Sequence, residues 1–353
     1  MTAQPINVRD VERLVSGRLP AGPLGYYAGG AGDERTLRDN EAAYARRCLR
    51  PRVLVDVTEV SAATTVLGTE VSMPVLVAPV ALQKMAHPEG EPGMARAAAA
   101  AGTIMCLSTI ATATPREVAD AAPDGARWFQ VYCFRDHGVT RALIDQALDC
   151  GYRALAVTVD APRAGRRERD FRTDFAVPAG IDMPAVTAAT GRTAGVTVQE
   201  FFSLVDASMT WAGFERLASE VDVPVLLKGV HTAADARLAV EHGAAGVVVS
   251  NHGGRQLDGV PASLDMLEEV VQEVGGEIEV LVDGGVRRGT DVLVALALGA
   301  RAVLVGRPAL WGLAWDGEAG ARRVLEMLRD EVELGLTLLG TPTPADVTRA
   351  HVG

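Results

Sequence analysis

The chain has 353 residues, 48% of them hydrophobic, which suffices for a large globular core and excludes a disordered segment. Its formal net charge is −11, from 34 basic and 45 acidic residues, which argues against a nucleic-acid partner because phosphate backbones need clustered Lys and Arg. No apolar run reaches membrane-spanning length and residues 1–10 lack a basic-then-apolar signal pattern, so a cytoplasmic protein without a membrane partner is expected. Cys48, Cys106, Cys133 and Cys150 form no C-x-x-C pair, which fits a reducing compartment, and no metal site is expected.

Residues 1–72 read as an N-terminal helical cap. Val8, Val11, Leu14 and Val15 have helical spacing, and Gly17 is a plausible stop. Residues 23–28 form a short helical turn carrying Tyr26 and Tyr27, broken by Gly29-Gly30-Ala31-Gly32. Residues 34–44 read as an exposed helix.

From residue 73 short apolar runs alternate with helical stretches, the pattern of βα units. Eight strands are predicted, at residues 74–78, 103–107, 127–132, 154–159, 224–228, 246–250, 279–282 and 302–305. Thr114-Pro115-Arg116-Glu117 and Thr232-Ala233-Ala234-Asp235 are helix starts, while Gly151, Gly243 and Gly299 suit helix ends. Eight such units predict an α/β fold of the (β/α)8 TIM-barrel type over residues 73–340, with 1–353 as one domain. An open doubly wound sheet is the runner-up, weakened by the lack of G-x-G-x-x-G after the first strand. Residues 160–209 hold no clean strand and read as a long, flexible active-site loop after strand four.

The strand ends carry the chemistry. They read Pro79-Val80-Ala81, Ser108, Gln130 with Tyr132, Thr158 with Asp160, Lys228, Ser250-Asn251-His252, Asp283-Gly284-Gly285 with Arg287, and Gly306-Arg307. Polar residues at the C-terminal ends of parallel strands are where such barrels collect reactive groups. An imidazole at His252 can take a proton near neutral pH, and Arg255 can hold a carboxylate through two parallel hydrogen bonds. The last two ends, with Gly284, Gly285, Gly306, Arg287 and Arg307, suit a phosphate. Lys228 suits either an electron-rich ring or a Schiff base. Ser108, Gln130 and Thr158 supply contacts of the kind a flavin edge needs.

The run Ser250-Asn251-His252-Gly253-Gly254-Arg255-Gln256-Leu257-Asp258 resembles the signature of the FMN-dependent 2-hydroxy acid oxidases and dehydrogenases, such as the glycolate, lactate and mandelate enzymes. Tyr26-Tyr27, His87-Pro88-Glu89-Gly90-Glu91, Gly165-Arg166-Arg167, Lys228-Gly229 and Gly306-Arg307-Pro308 extend the likeness over nearly the whole chain. The resemblance implies FMN, a (β/α)8 barrel and a homotetramer or octamer. It makes His252 the base, Asp160 its hydrogen-bond partner, and Arg255 and Arg167 the carboxylate clamp. Tyr26 and Tyr132 would touch the substrate, and Lys228 would stabilise charge developing on the flavin. Pro79, Val80 and Ala81 would pass their backbone along the flavin. The implied reaction turns an (S)-2-hydroxy acid into a 2-oxo acid with O2 as electron acceptor.

In glycolate oxidases a Trp commonly stands where this chain has Ile110, and a Leu where it has Ala164. Both changes remove bulk, and Phe171 on the long loop adds an aromatic, so a large or mandelate-like substrate is expected. Two other functions stay open at this stage. One is a flavin dehydrogenase passing electrons to a quinone or protein. The other is a phosphate-binding barrel isomerase or lyase using Lys228.

Overall fold

The structure, a computed structural model, describes residues 4–192 and 197–353. Three helices come first: α1 (Val8–Ser16), α2 (Ala21–Ala28) and α3 (Arg35–Ala45). A two-stranded antiparallel hairpin follows, β1 (Thr64–Val66) with β2 (Thr69–Val71). The barrel then runs β3 (Val75–Val77), α4 (Gly90–Ala100), β4 (Met105–Ser108), α5 (Pro115–Ala121), β5 (Arg127–Val131) and α6 (His137–Leu148). It continues with β6 (Leu155–Thr158), then the short helices α7 (Glu168–Arg172), α8 (Pro184–Ala189) and α9 (Val198–Leu204), and then α10 (Trp211–Ser219). Its second half is β7 (Val225–Val230), α11 (Ala233–Glu241), β8 (Gly246–Val249), α12 (Ser263–Val274), β9 (Glu279–Asp283), α13 (Gly289–Ala297), β10 (Ala302–Val305) and α14 (Arg307–Leu339). The last helix is kinked at Asp316 and Gly317, whose dihedral angles are non-helical.

Strands β3 to β10 are all parallel and close on themselves, with Val303 of β10 opposite Val75 of β3. Each strand is too short and too apolar to face water on either side, as parallel barrel strands must be. Side chains alternate between two cores. Leu76, Ile104, Cys106, Trp128, Ala156, Leu226, Val248, Leu281 and Leu304 fill the inside of the barrel. Their neighbours Val75, Val77, Met105, Phe129, Val157, Leu227, Val247 and Val303 face the helices. The helix signals act as expected. Thr114 and Glu117 form a reciprocal cap on α5, Thr232 caps α11, and Gly151, Gly243 and Gly299 take positive φ after their helices.

Three expectations need correction. The cap is not helical throughout, because residues 64–71 form the hairpin. Val66 and Val71 plug the N-terminal mouth of the barrel beside Ala126, Ala154 and Ala302. Leu67 and Gly68 both take positive φ at its tip, as a tight hairpin turn requires. Second, α3 is not an exposed helix. Thr36, Asn40, Ala43 and Tyr44 form a buried face, and its polar members bond to loops of the barrel. Third, the connection after β6 holds three short helices, with Phe201 of α9 fully buried and Val205 bridged to Phe134. Residues 193–196 of that connection lie outside the described residues.

Candidate active site

The polar strand ends meet in a cleft of about 1100 Å3, counting the space open at its mouth. It is covered on one side by α2, whose Tyr26 and Tyr27 line it. The run from Ser250 to Asp258 builds much of the wall, and each of its residues has a local reason. Ser250 Oγ accepts from Lys228 Nζ at 2.9 Å and from the backbone N–H of His252 at 3.1 Å. Asn251 and Asn40 of α3 exchange two hydrogen bonds of 2.8 Å, each side-chain N–H donating to the other's oxygen, fastening the cap to the strand end. His252, Gly253 and Gly254 all take positive φ, a left-handed stretch that turns the chain back over the cleft. A Cβ on Gly254 would lie 2.6 Å from the backbone of Leu37, so only glycine fits there. Asp258 accepts from the N–H groups of Asp33 and Thr36, tying down the start of α3.

His252 Nδ1 lies 3.0 Å from Asp160 Oδ1. Burial pushes the Asp160 carboxyl up, but the charge and hydrogen bond of His252, with Lys228 and His231 beyond, hold it below the usual carboxylate range. Asp160 is therefore an anion that fixes one imidazole nitrogen and leaves the other free to take a proton. Asp160 and Ser250 stand behind the cleft wall, whereas His252 lines it.

Arg255, Arg167 and Tyr26 form the second group. Both guanidiniums stack over the Tyr26 ring, at 4.9 and 5.1 Å from its centroid. Arg255 Nη1 donates to the backbone carbonyls of Tyr26 and Gly29. Burial, then the like charge of Arg167, pulls the Arg255 guanidinium down to about 10. Arg167 Nε is 3.1 Å from Asp170 Oδ2 but poorly aligned to donate to it. Tyr132 lines the same space, and burial followed by the Asp160 charge pushes its phenol up, so its hydroxyl stays a donor.

The floor is Lys228. Its ammonium pairs with Asp283 at 2.7 Å and with Ser250, leaving one N–H donor free. Burial pulls Lys228 down, but Asp283 and Asp160 outweigh it and hold the ammonium above its usual value. Beside it, Gln130 Oε1 accepts from Ser108 Oγ and from the Thr109 N–H, and Gln130 Nε2 donates to Thr158 at 2.9 Å. Pro79, Val80 and Ala81 line the same cleft. Gly284, Gly285, Arg287, Gly306 and Arg307 also line the cleft, and Arg307 shares the Gly29 carbonyl with Arg255. Gly285 is glycine because a Cβ would overlap the backbone carbonyl of Asn40, a reason the sequence did not show.

Some site residues were missed. Gln256 lines the cleft and holds the long connection: its amide accepts from Gly165 N–H at 2.9 Å and donates to the carbonyls of Asp160 and Arg163. Gly165 must be glycine, since a Cβ would run into the Arg255 carbonyl and Gln256. Phe202 lines the cleft and packs edge-on against Tyr132 at 5.7 Å, whereas Phe171 is 63% exposed beneath Arg166. Ala164 is exposed and Ile110 lines the cleft. The aromatic beside the pocket is thus Phe202, not Phe171, and Ala164 frees no space there.

The family model described as FMN-dependent dehydrogenase matches residues 15–353. The chain belongs to this FMN-dependent dehydrogenase family. Glycolate oxidase 3 of Oryza sativa subsp. indica is 50% identical over 351 residues, 98% of this chain and 95% of that protein. Glycolate oxidase of Spinacia oleracea is 48% identical over 356 residues, 98% of this chain and 95% of that protein. A mandelate oxidase structure with benzoyl-formic acid superposes with a TM-score of 0.90 at 40% identity, covering 99% of this chain and 98% of that one.

As a member of the family the protein is an FMN-dependent oxidoreductase, and its cleft fits the cofactor. Among the described residues Arg287 Nε is buried without a hydrogen-bond partner, while Nη2 of the same guanidinium pairs with Glu41 at 3.1 Å. Arg307 is pulled down to about 9 by burial, then by Arg255 and Arg287. Buried guanidiniums crowded in this way mark a place for anions. Arg307 was read from sequence as a phosphate ligand; the structure shows it donating to the carbonyls of Tyr27, Gly29 and Gly253. Two of its five N–H donors stay free. Arg307→Ala is therefore expected to lose FMN on dialysis and also to lose about 1–3 kcal/mol of stability as those carbonyls go unpaired. Absorbance after dialysis and denaturant melts read the two effects; full flavin content would remove Arg307 from the phosphate end.

Proposed function

We propose that this flavoprotein oxidises a small (S)-2-hydroxy acid to the 2-oxo acid and passes the two electrons and two protons to O2, giving H2O2. The observation that carries the reading is the pairing of two guanidiniums, Arg255 and Arg167, with the His252–Asp160 couple in one cleft. In this reading the guanidiniums hold the carboxylate, Tyr26 adds a hydroxyl, and Tyr132 touches the substrate hydroxyl. His252 takes the proton of that hydroxyl or of the α-carbon, and Asp160 stabilises the imidazolium that forms. FMN, when bound, supplies the two-electron acceptor. Pro79, Val80, Ala81, Ser108, Gln130 and Thr158 hold its ring; Lys228, braced by Ser250 and Asp283, places a positive charge near it. Gly284, Gly285, Arg287, Gly306 and Arg307 hold its phosphate. The names of the relatives support the substrate class, since glycolate and mandelate are both 2-hydroxy acids. A Schiff-base lyase fits poorly, because it needs a neutral amine and Lys228 is held as a cation.

The test is anaerobic mixing with a panel of 2-hydroxy acids while flavin absorbance is followed, then peroxide assay in air. Failure of every acid to bleach the flavin sinks the reading. Bleaching without peroxide moves the electrons to a quinone or protein.

Substrate size is proposed from the lining. Ile110 and Phe202 face the cleft near Tyr132, and both are apolar. Glycolate offers them nothing to bury. A phenyl group would bury side-chain surface at about 25 cal/mol per Å2, on the order of 2 kcal/mol or roughly thirtyfold in kcat/KM. Mandelate is therefore expected to outrank glycolate by that factor in one assay, and Phe202→Ala to narrow the gap. Equal or better turnover of glycolate would refute the size argument.

We further propose a homotetramer or octamer in the cytoplasm. Val53, Leu54, Leu334 and Leu338 are exposed, around the end of α14 where Arg52 N–H bonds the Leu339 carbonyl. Exposed apolar groups of this kind suit burial between copies. The four free cysteines suit a reducing compartment. Light scattering reads the assembly, and a monomer at working concentration would reject it.

A further inference from the structure

Strand β7 runs on into His231, an imidazole that the reading above leaves without work. Its Nε2 hydrogen-bonds the backbone carbonyl of Ser250, at the end of β8. A carbonyl only accepts, so Nε2 carries a proton, in the neutral tautomer or in the imidazolium. Ser250 is the residue on which the site hangs, because its hydroxyl takes both the Lys228 ammonium and the N–H of His252. The pairing of β7 with β8 slips between Lys228 and Val230, an irregularity of the kind that re-aims side chains next to active sites. Gly229, at φ +108, makes the slip, and Asp160 packs directly on it, where a Cβ would lie 2.6 Å from the Asp160 Cβ. The irregular backbone thus serves two ends: it seats Asp160 and swings His231 towards Ser250.

We propose that His231 is a positioning residue for the oxidation, holding the Ser250 carbonyl and, through Ser250, the turn that presents His252 to the substrate. The proposal rests on His252 being the base.

Three variants of the FMN-loaded enzyme test this: His231→Leu, His231→Gln and His252→Ala. Flavin reduction is followed by stopped flow at one neutral pH. Wild-type FMN content is expected in both His231 variants. The Leu variant should reduce its flavin about three- to tenfold more slowly with KM little changed, as loss of one positioning hydrogen bond implies. The Gln variant, which keeps an N–H donor without a titrating ring, should recover most of the rate. A Leu variant with wild-type rate, or a Gln variant that recovers none of the lost rate, overturns the proposal. If His252→Ala instead reduces its flavin at wild-type rate, the assignment of the base fails, which is a separate result.

Discussion

His252→Ala should keep its FMN and lose on the order of 10²–10⁴ in the rate of flavin reduction by substrate, the range for removing a general base. The geometry leaves little room for another base. Asp160 is buried, tied to Nδ1 and held ionised, and Lys228 is held as a cation between Asp283 and Ser250. Tyr132 is kept protonated by burial. Among the described residues that line the cleft, His252 is the only imidazole, and its second nitrogen is free of the bond to Asp160. The variant also has a predictable cost in stability. The depressed Asp160 carboxyl contributes stability that is present above its unfolded pKa of about 3.9 and is lost as pH falls through its folded value. Without His252 its largest stabilising partner is gone, so the variant should be less stable than wild type at neutral pH, with a smaller difference in acid. Alanine is also poorer than histidine at φ +58, so His252→Asn, which tolerates that region, is the useful companion. Wild-type flavin reduction in both variants would take His252 out of the mechanism.

The barrel was legible because buried parallel strands leave one simple mark, a short run of β-branched and aliphatic residues. All eight such runs became barrel strands, with every end within two residues of the one expected. The Ser250–Asp258 run was legible for a different reason: its residue types state their chemistry. What sequence could not show was which distant element each residue leans on. Asn40 looks like a surface residue of an amphipathic helix until Asn251 is found opposite it. Val66 and Val71 look too few for a strand pair until the barrel mouth is there to receive them. Even so, Thr64-Thr65-Val66-Leu67-Gly68-Thr69-Glu70-Val71 carried a hairpin signal, β-branched residues around a glycine turn. Phe171 and Phe202 show the limit most clearly. Both are aromatics on one connection without periodicity, and local pattern cannot choose between them. The choice is made by Phe201, buried among Tyr132, Phe134 and Phe202, which turns α9 so that Phe202 faces the cleft.

Arg255→Lys should cost about 10²–10³ in kcat/KM, more than Arg167→Lys. Arg255 Nη1 is spent on the carbonyls of Tyr26 and Gly29, which leaves Nε and Nη2 as a pair of parallel donors. Such a fork matches a carboxylate, and a hydrogen bond to a charged group is worth about 1.5–3 kcal/mol. Losing both bonds while keeping a positive charge therefore costs roughly 3–4 kcal/mol, or two to three powers of ten. Lysine can place one ammonium there, but it cannot bond the carboxylate and hold the two carbonyls at once. It also loses the contact over the Tyr26 ring, which is stacked as well on Phe175 at 4.8 Å. Arg167 makes no hydrogen bond to the backbone of α2, and its partner Asp170 is poorly aligned, so its replacement frees less. The two variants should also differ in kind. Arg167→Lys should raise KM with kcat nearly intact, the mark of binding shared by ground and transition states. Arg255→Lys should lower kcat as well, because Arg255 is three residues from His252 on the same turn and in the proposed reaction would orient the α-carbon towards it. Steady-state kinetics with one substrate, backed by titration of the 2-oxo acid product against the oxidised flavin, separates these outcomes. Unchanged KM and kcat in both variants would mean that the carboxylate binds elsewhere in the cleft.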